Sequence, residues 1–289
     1  MRVLLTGANG TVGTAILSQL GSRDEYEFTR LDKEDDPDHE TVVADIGDYD
    51  AIRPHFDDHD AVVHLAGVPD VNGSWESVLR NNFIGTYNVL EAAADAEIER
   101  FVFASSIHTV GMYEVDFAPE IYDPEYNLEL EHTTPVRPDS FYGLSKVFAE
   151  GLGRLYVESR ENPLSGLNSV YETTVREYPK RFYSVRIKTV RDAEHDHPYG
   201  LAEEGVEAGM WERDSEEYQY MASRLKCTWL SHRDLAQLIE KCLHDNTVDF
   251  DIFWGVSDND GRWVDLEHGR DVLGYDPQDN GTDWNSPPK

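Results

Sequence analysis

Short apolar runs alternate with helically spaced stretches along the first half of the chain. Residues 3–5, 26–31, 41–44, 61–65 and 101–104 read as buried strands. Between them, residues 12–20, 48–56 and 75–94 carry the apolar spacing of amphipathic helices. Repeated strand, helix, strand units predict an α/β fold built on a Rossmann-type, doubly wound parallel sheet. Asp139 is placed to cap a further helix that runs through Tyr142 and Lys146 to about residue 159. A strand over 182–187, a helix over 234–244, a strand over 250–255 and a short last helix complete the pattern. Two stretches break it, the acidic, proline-containing 113–138 and the polar 188–226. Both follow strand ends on the side where open α/β sheets bind ligands, so they are expected to wall a pocket.

Composition narrows the partners. With 57 Asp and Glu against 25 Lys and Arg, the formal charge is −32 and the acids are spread along the whole chain. Such a field repels nucleic acid and anionic membranes, so neither is expected as a partner. A 39% share of hydrophobic residues in periodic runs argues for a packed core rather than a disordered acidic chain. An acid-coated, lysine-poor surface suits a protein that must stay hydrated in concentrated salt, and a salt-adapted cytoplasmic source is expected. Cys227 and Cys242 are too few for a disulfide framework and lack metal-ligand spacing, which fits a reducing compartment. No apolar stretch reaches membrane-spanning length, and the run at residues 3–5 is too short for an export signal.

The chemistry is carried by a few positions. Gly7, Gly10 and Gly13 follow the first strand and open the first helix, where glycines allow a tight turn and let a pyrophosphate approach the helix N-terminus. Asn9, Thr11 and Val12 of the same turn are expected to touch the cofactor. Asp32, ending the second strand, stands where a carboxylate binds a ribose 2′-hydroxyl and repels a 2′-phosphate, so NAD is preferred and NADP is the alternative. Lys33 and Arg30 pull against that preference. Asp45 and Ile46 are placed to edge an adenine, and Leu65, Ala66 and Gly67 let a cofactor lie against the backbone. Residues 1–187 therefore read as the NAD-binding part with the Tyr142 helix. Residues 188–289 read as a small substrate-binding region that completes the sheet within the same compact unit.

Tyr142 and Lys146 stand one above the other at i and i+4, where an ammonium favours a phenolate and makes it a usable base. The spacing alone is expected about 0.4 times by chance in this composition, so its context decides. Ser105 and Ser106 end the fifth strand, where a hydroxyl can polarise a substrate oxygen together with Tyr142. His195 and His197 have no further spaced ligands; no metal is expected, and both are read as exposed polar loop.

These segments together resemble the extended short-chain dehydrogenase/reductase superfamily. Within it they resemble the sugar C1 dehydrogenases, a group that includes uronate dehydrogenases and haloarchaeal NAD-dependent glucose-6-phosphate dehydrogenases. The matching runs are LTGANGTVG at 5–13, WESVLRNNFIGT at 75–86, FASSIHTVG at 103–111, RPDSFYGLSK at 137–146, WLSHRD at 229–234 and GYDPQDN at 274–280. The resemblance implies Ser106, Tyr142 and Lys146 as the catalytic trio, with Asn82 supporting a relay water beside Lys146 and also contacting the cofactor. It implies Ser74, Ser106, Ile107, His108 and Tyr142 facing the sugar, Arg224 holding an anionic group, and a homo-oligomer. The family has asparagine where this chain has Ile107, and residues 113–138 and 159–224 look longer than in the relatives.

The expected activity is NAD-dependent oxidation of an aldose at C1 to its lactone. Ile107 and the rebuilt loops favour a neutral pentose such as L-arabinose, whereas Arg224 favours a uronate or glucose 6-phosphate. A nucleotide-sugar epimerase or dehydratase would use the same trio but carries a larger C-terminal part than the roughly 140 residues after Lys146. A catalytically silent NAD-binding protein is the third reading, and the intact trio counts against it.

Overall fold

Alternate residues of the first strand feed two different cores: Val3 and Leu5 pack on one face of a sheet and Leu4 on the other, all fully buried. The sheet belongs to a computed structural model that describes residues 1–123, 125–159 and 175–288. In chain order its elements are β1 (Arg2–Thr6), α1 (Thr11–Leu20), β2 (Glu27–Asp32), β3 (Val42–Val43), α2 (Tyr49–Ile52), β4 (Ala61–His64), α3 (Trp75–Val78), α4 (Gly85–Asp95), β5 (Arg100–Ser106), α5 (Gly111–Phe117), α6 (Phe141–Val157), β6 (Arg181–Ile187), α7 (Gly200–Glu207), α8 (Glu216–Thr228), α9 (His232–His244), β7 (Phe250–Gly255) and α10 (Glu267–Leu273). The seven strands pair in the order β3-β2-β1-β4-β5-β6-β7, all parallel. Helices α1 and α9 cover one face through Ile16, Leu20, Leu235 and Leu238, while α4 and α6 cover the other through Val89, Leu90, Ala149 and Tyr156. The order reverses between β1 and β4, so their following loops diverge and leave a crevice at the carboxyl ends of the strands.

Several expectations change. The helix carrying Tyr142 is capped by Ser140, whose Oγ accepts from the Gly143 amide at 3.0 Å; Asp139 instead binds His108. The helix expected over 75–94 is interrupted by a π-helical stretch, Leu79–Ile84. Residues 188–226 contain α7 and most of α8, whose Ala202, Tyr218 and Ala222 form a small core of their own with Tyr199. His195 and His197 are buried rather than exposed. The His195 ring lies between Glu204 and Glu207, and His197 stacks on Trp284 with centroids 5.8 Å apart. Part of the long 159–224 stretch, residues 160–174, lies outside the described residues.

Candidate active site

The crevice is a cleft of about 810 Å³, a size that suits a dinucleotide and a small substrate. Its floor is the β1–α1 turn. Gly7 sits at φ +72°, and a Cβ there would stand 2.6 Å from the Ala66 amide nitrogen, so only glycine lets the β1 and β4 loops approach. Gly7, Asn9, Gly10, Thr11, Val12, Gly13, Asp32, Asp45, Ile46, Leu65, Ala66 and Gly67 all line this cleft. Asp32 accepts from the Asn9 amide at 3.0 Å and the Glu34 amide at 3.3 Å, which fixes its carboxylate at the rim. Arg30 is tied to Asp36 at 3.1 Å and Lys33 leans on Glu34 at 3.5 Å, so both nearby cations already have acidic partners. Asn9 Oδ1 is buried without a partner, a free acceptor in a cradle otherwise built for a nucleotide. The residues present therefore fit NAD.

Tyr142, Lys146, Ser106, Ile107 and His108 line the inner end of the same cleft. Their meeting depends on Gly143: a Cβ there would lie 2.3 Å from the His108 carbonyl oxygen, so this glycine lets α6 press against the turn after β5. Lys146 Nζ donates to the Ala104 carbonyl at 2.8 Å and lies 5.4 Å from the Tyr142 ring centroid. Burial brings its pKa down to about 8, against the opposing pull of Glu150. Burial pushes the Tyr142 hydroxyl up; the Ser106 hydroxyl draws it back and the Asp139 carboxylate adds to the rise. His108 Nδ1 pairs with Asp139 at 2.7 Å, and its ring meets Tyr142 edge to face at 5.7 Å.

Other expected site residues have different duties. Asn82 sits in the π-helical stretch and is not on the cleft wall. Its Nδ2 donates to the Val68 carbonyl and the Ser145 hydroxyl, both at 3.1 Å, and its Oδ1 accepts from the Val68 amide at 2.8 Å. It ties the β4 loop to α6, which leaves its amide little capacity for a relay water. Ser74 caps α3 by accepting from the Ser77 amide and lies off the cleft wall. Ser105 turns its hydroxyl to Glu150 at 2.7 Å. Among the described residues none of 113–138 lines the cleft, although 187–191, Leu201 and Arg224 do.

Arg224 reaches the wall but is not a free cation. Its Nε donates to Glu114 Oε1 at 2.7 Å and Nη2 to Glu114 Oε2 at 3.2 Å. Tyr122 donates to the same carboxylate at 2.6 Å. Burial alone would raise the Glu114 carboxyl, but Arg224 and Tyr122 more than offset this and hold it below its ordinary value. Sequence reasoning missed both Glu114 and Lys188. The Lys188 ammonium is buried 3.9 Å from the Trp263 ring centroid, with the Cys227 carbonyl 3.5 Å away, and burial brings its pKa down to about 7. The only sequence sign was its position directly after a strand whose neighbour ends in Ser106.

Away from the cleft, His132, Asp251 and His268 bring three ligand-type atoms within 4.8 Å of one another. The two imidazoles are stacked, 3.6 Å between centroids and 12° between planes. In-plane lone pairs on such rings run side by side and do not converge on one ion.

A glycine turn, a rim aspartate and a serine, tyrosine, lysine trio on a doubly wound sheet define a nucleotide-dependent oxidoreductase. The family model for the NAD dependent epimerase/dehydratase family matches residues 3–241, and the chain belongs to that family, with NAD as its cofactor. The chain is 37% identical over 292 residues to the NAD-dependent glucose-6-phosphate dehydrogenase of Haloferax volcanii, covering 98% of this chain and 95% of that one. It is 30% identical to the L-arabinose 1-dehydrogenase (NAD(P)(+)) of the same organism, covering 96% and 97%. The crystal structure of uronate dehydrogenase from Agrobacterium tumefaciens superposes with a TM-score of 0.69 at 28% identity, covering all of this chain and 91% of that one. The chain thus groups with NAD-dependent sugar dehydrogenases. Asp32→Ala is expected to raise the KM for NAD about tenfold or more and to lower that for NADP, because the hydrogen bonds expected to the ribose and the repulsion of a 2′-phosphate are lost together; steady-state kinetics with both cofactors reads this.

Proposed function

We propose that the protein oxidises a neutral cyclic aldose at C1 to its lactone, with a pentose such as L-arabinose the best fit. The observation that carries the neutral reading is the Arg224–Glu114 pair. A guanidinium already matched by a buried carboxylate offers no net charge to an anion, whereas the free edges of such a pair suit the hydroxyls of a sugar.

Tyr142 takes the proton of the anomeric hydroxyl as general base. Lys146, anchored by the Ala104 carbonyl, supplies the positive charge that favours the phenolate. Ser106, at the end of β5, donates to the same sugar oxygen and orients the ring. NAD, which the glycine turn and Asp32 would hold, would supply the acceptor for the hydride that leaves C1. His108, fixed by Asp139, forms one side of the sugar site, and Ile107 gives it an apolar wall.

A second reading, oxidation of a sugar phosphate, is favoured by Lys188: a dianion entering beside it would draw a proton onto the amine, and the 37% identical relative carries that name. A panel of free pentoses, free hexoses, uronates and sugar phosphates, assayed for NADH formation in concentrated salt, separates the two. The proposal expects kcat/KM to be highest on a free aldose. Highest activity on a phosphate overturns the neutral reading, and no activity on any member overturns C1 oxidation.

A further inference from the structure

One turn beyond Lys146 on the same stripe of α6 lies Glu150, a buried carboxylate not yet assigned any part in catalysis. It is the meeting point of three elements. Its Oε1 accepts from Ser105 Oγ of β5 at 2.7 Å, from Ser184 Oγ of β6 at 3.3 Å and from Arg186 Nε at 2.9 Å, while Oε2 accepts from Arg186 Nη2 at 2.8 Å. Arg186 is itself almost wholly buried and gives its third nitrogen to the His132 carbonyl at 3.2 Å. A buried pair of this kind costs desolvation on both sides, so it is a poor device for stability alone.

We propose that Glu150 is a positioning residue for the Tyr142–Lys146 pair: it ties the ends of β5 and β6 to α6, and its carboxylate is the counter-charge that keeps the Lys146 ammonium charged beside the phenol. This rests on Tyr142 acting as the base. The other groups facing Lys146 cannot serve. On α6 itself Tyr142 is the reaction partner. From β5 come the Ala104 carbonyl and the Phe103 ring, neither of them charged. From β4 comes His64, held between Thr6 and Thr86 hydroxyls and brought down to about 3, chiefly by burial and also by Lys146, so it is neutral. From the π-helical stretch comes Asn82, spent on Val68 and Ser145. Asp139 faces Tyr142 and is bound to His108. From β6 comes Arg186, which binds Glu150; of that pair it is the carboxylate, one turn away on α6, whose charge acts on Lys146. The charge that opposes desolvation of Lys146 is that of Glu150.

The sign of the effect is fixed. A negative neighbour holds protons on both Tyr142 and Lys146, and more firmly on the nearer lysine. Removing it lets the coupled pair shed its first proton at lower pH, with a smaller share of the ammonium–phenolate form. The experiment is the pH profile of kcat at saturating aldose and NAD for wild type, Glu150→Gln, Glu150→Asp and the double variant Glu150→Gln/Arg186→Met. Both variants with glutamine are expected to move the acid limb about one pH unit lower and to lower the plateau several-fold, the double variant less than the single one. Glu150→Asp is expected to return both toward wild type. A lowered plateau with an unmoved limb, or an unmoved profile, overturns the proposal. The double variant leaves no unmatched buried cation, so it gives the reading if Glu150→Gln fails to fold. Tyr142→Phe runs alongside: wild-type turnover there removes the catalytic reading itself, a result distinct from an unmoved limb in the Glu150 variants.

Discussion

Replacing Tyr142 by phenylalanine is expected to lower kcat by ~10²- to 10⁴-fold, the range over which a positioned general base contributes. The ring and its edge-to-face contact with His108 survive the change, so circular dichroism and NAD binding should match wild type. The expected pH dependence follows from the neighbours. Burial raises Tyr142 and brings Lys146 down to about 8, and two groups so close titrate together. The pair therefore loses its first proton near pH 8, and the ammonium–phenolate form is one arrangement of what remains. Oxidation by the wild type should rise with pH through this region, and the residual rate of Tyr142→Phe should not. Wild-type activity in the variant would mean that the base lies elsewhere.

The second large effect is expected from Glu114→Gln. Arg224 would then be a part-buried guanidinium without a carboxylate, at a cost of up to about 3 kcal/mol, the lower end of the range for breaking a fully buried pair. A lower melting temperature is the first sign. The second is a reversal of preference: the unmatched cation should recruit a uronate or sugar phosphate, raising kcat/KM for the anion relative to the neutral aldose by at least about tenfold. Added phosphate or sulfate should restore part of the lost melting temperature by filling the same place. A variant that loses stability but keeps the ratio of neutral to anionic turnover would show that Glu114 supports the pocket without setting its charge.

The contrast between these two residues shows what the sequence displays and what it conceals. Tyr142, Lys146 and Ser106 were legible because helical spacing and a strand end are local facts. The glycine turn was legible because a close approach has a composition. Strands β1, β4 and β5 announced themselves by apolar runs, as central parallel strands do. Glu114 and Arg224 are 110 residues apart, and no local pattern reports which acid of 57 neutralises which arginine. Residues 188–226 read as a polar stretch with one helical patch because α7 and α8 bury few large apolar side chains, Tyr218 and Leu225 among them, within a strongly acidic sequence. Asp139 was the expected helix cap, and Ser140 takes that place instead. Asp139 pairs with His108, a contact that exists only once β5 and α6 have met.

The same limit explains Asn82 and Ser74. Their places in and just before WESVLRNNFIGT suggested contact with the cofactor and the sugar, but the π-helical stretch turns the Asn82 amide onto Val68 and Ser145, and Ser74 is consumed as a helix cap. Both shape the cleft from behind its wall. Lys188 is the converse, a buried amine facing the cleft that no spacing rule would select.

Transfer of label from C1 tests the central claim most directly. The aldose that gives the highest kcat/KM is prepared with deuterium at C1 and turned over with NAD in concentrated salt. The account predicts one deuterium in each reduced cofactor, measured by mass spectrometry, with a lactone as the sugar product. Reduced cofactor without deuterium, or consumption of the sugar without any reduced cofactor, would contradict it.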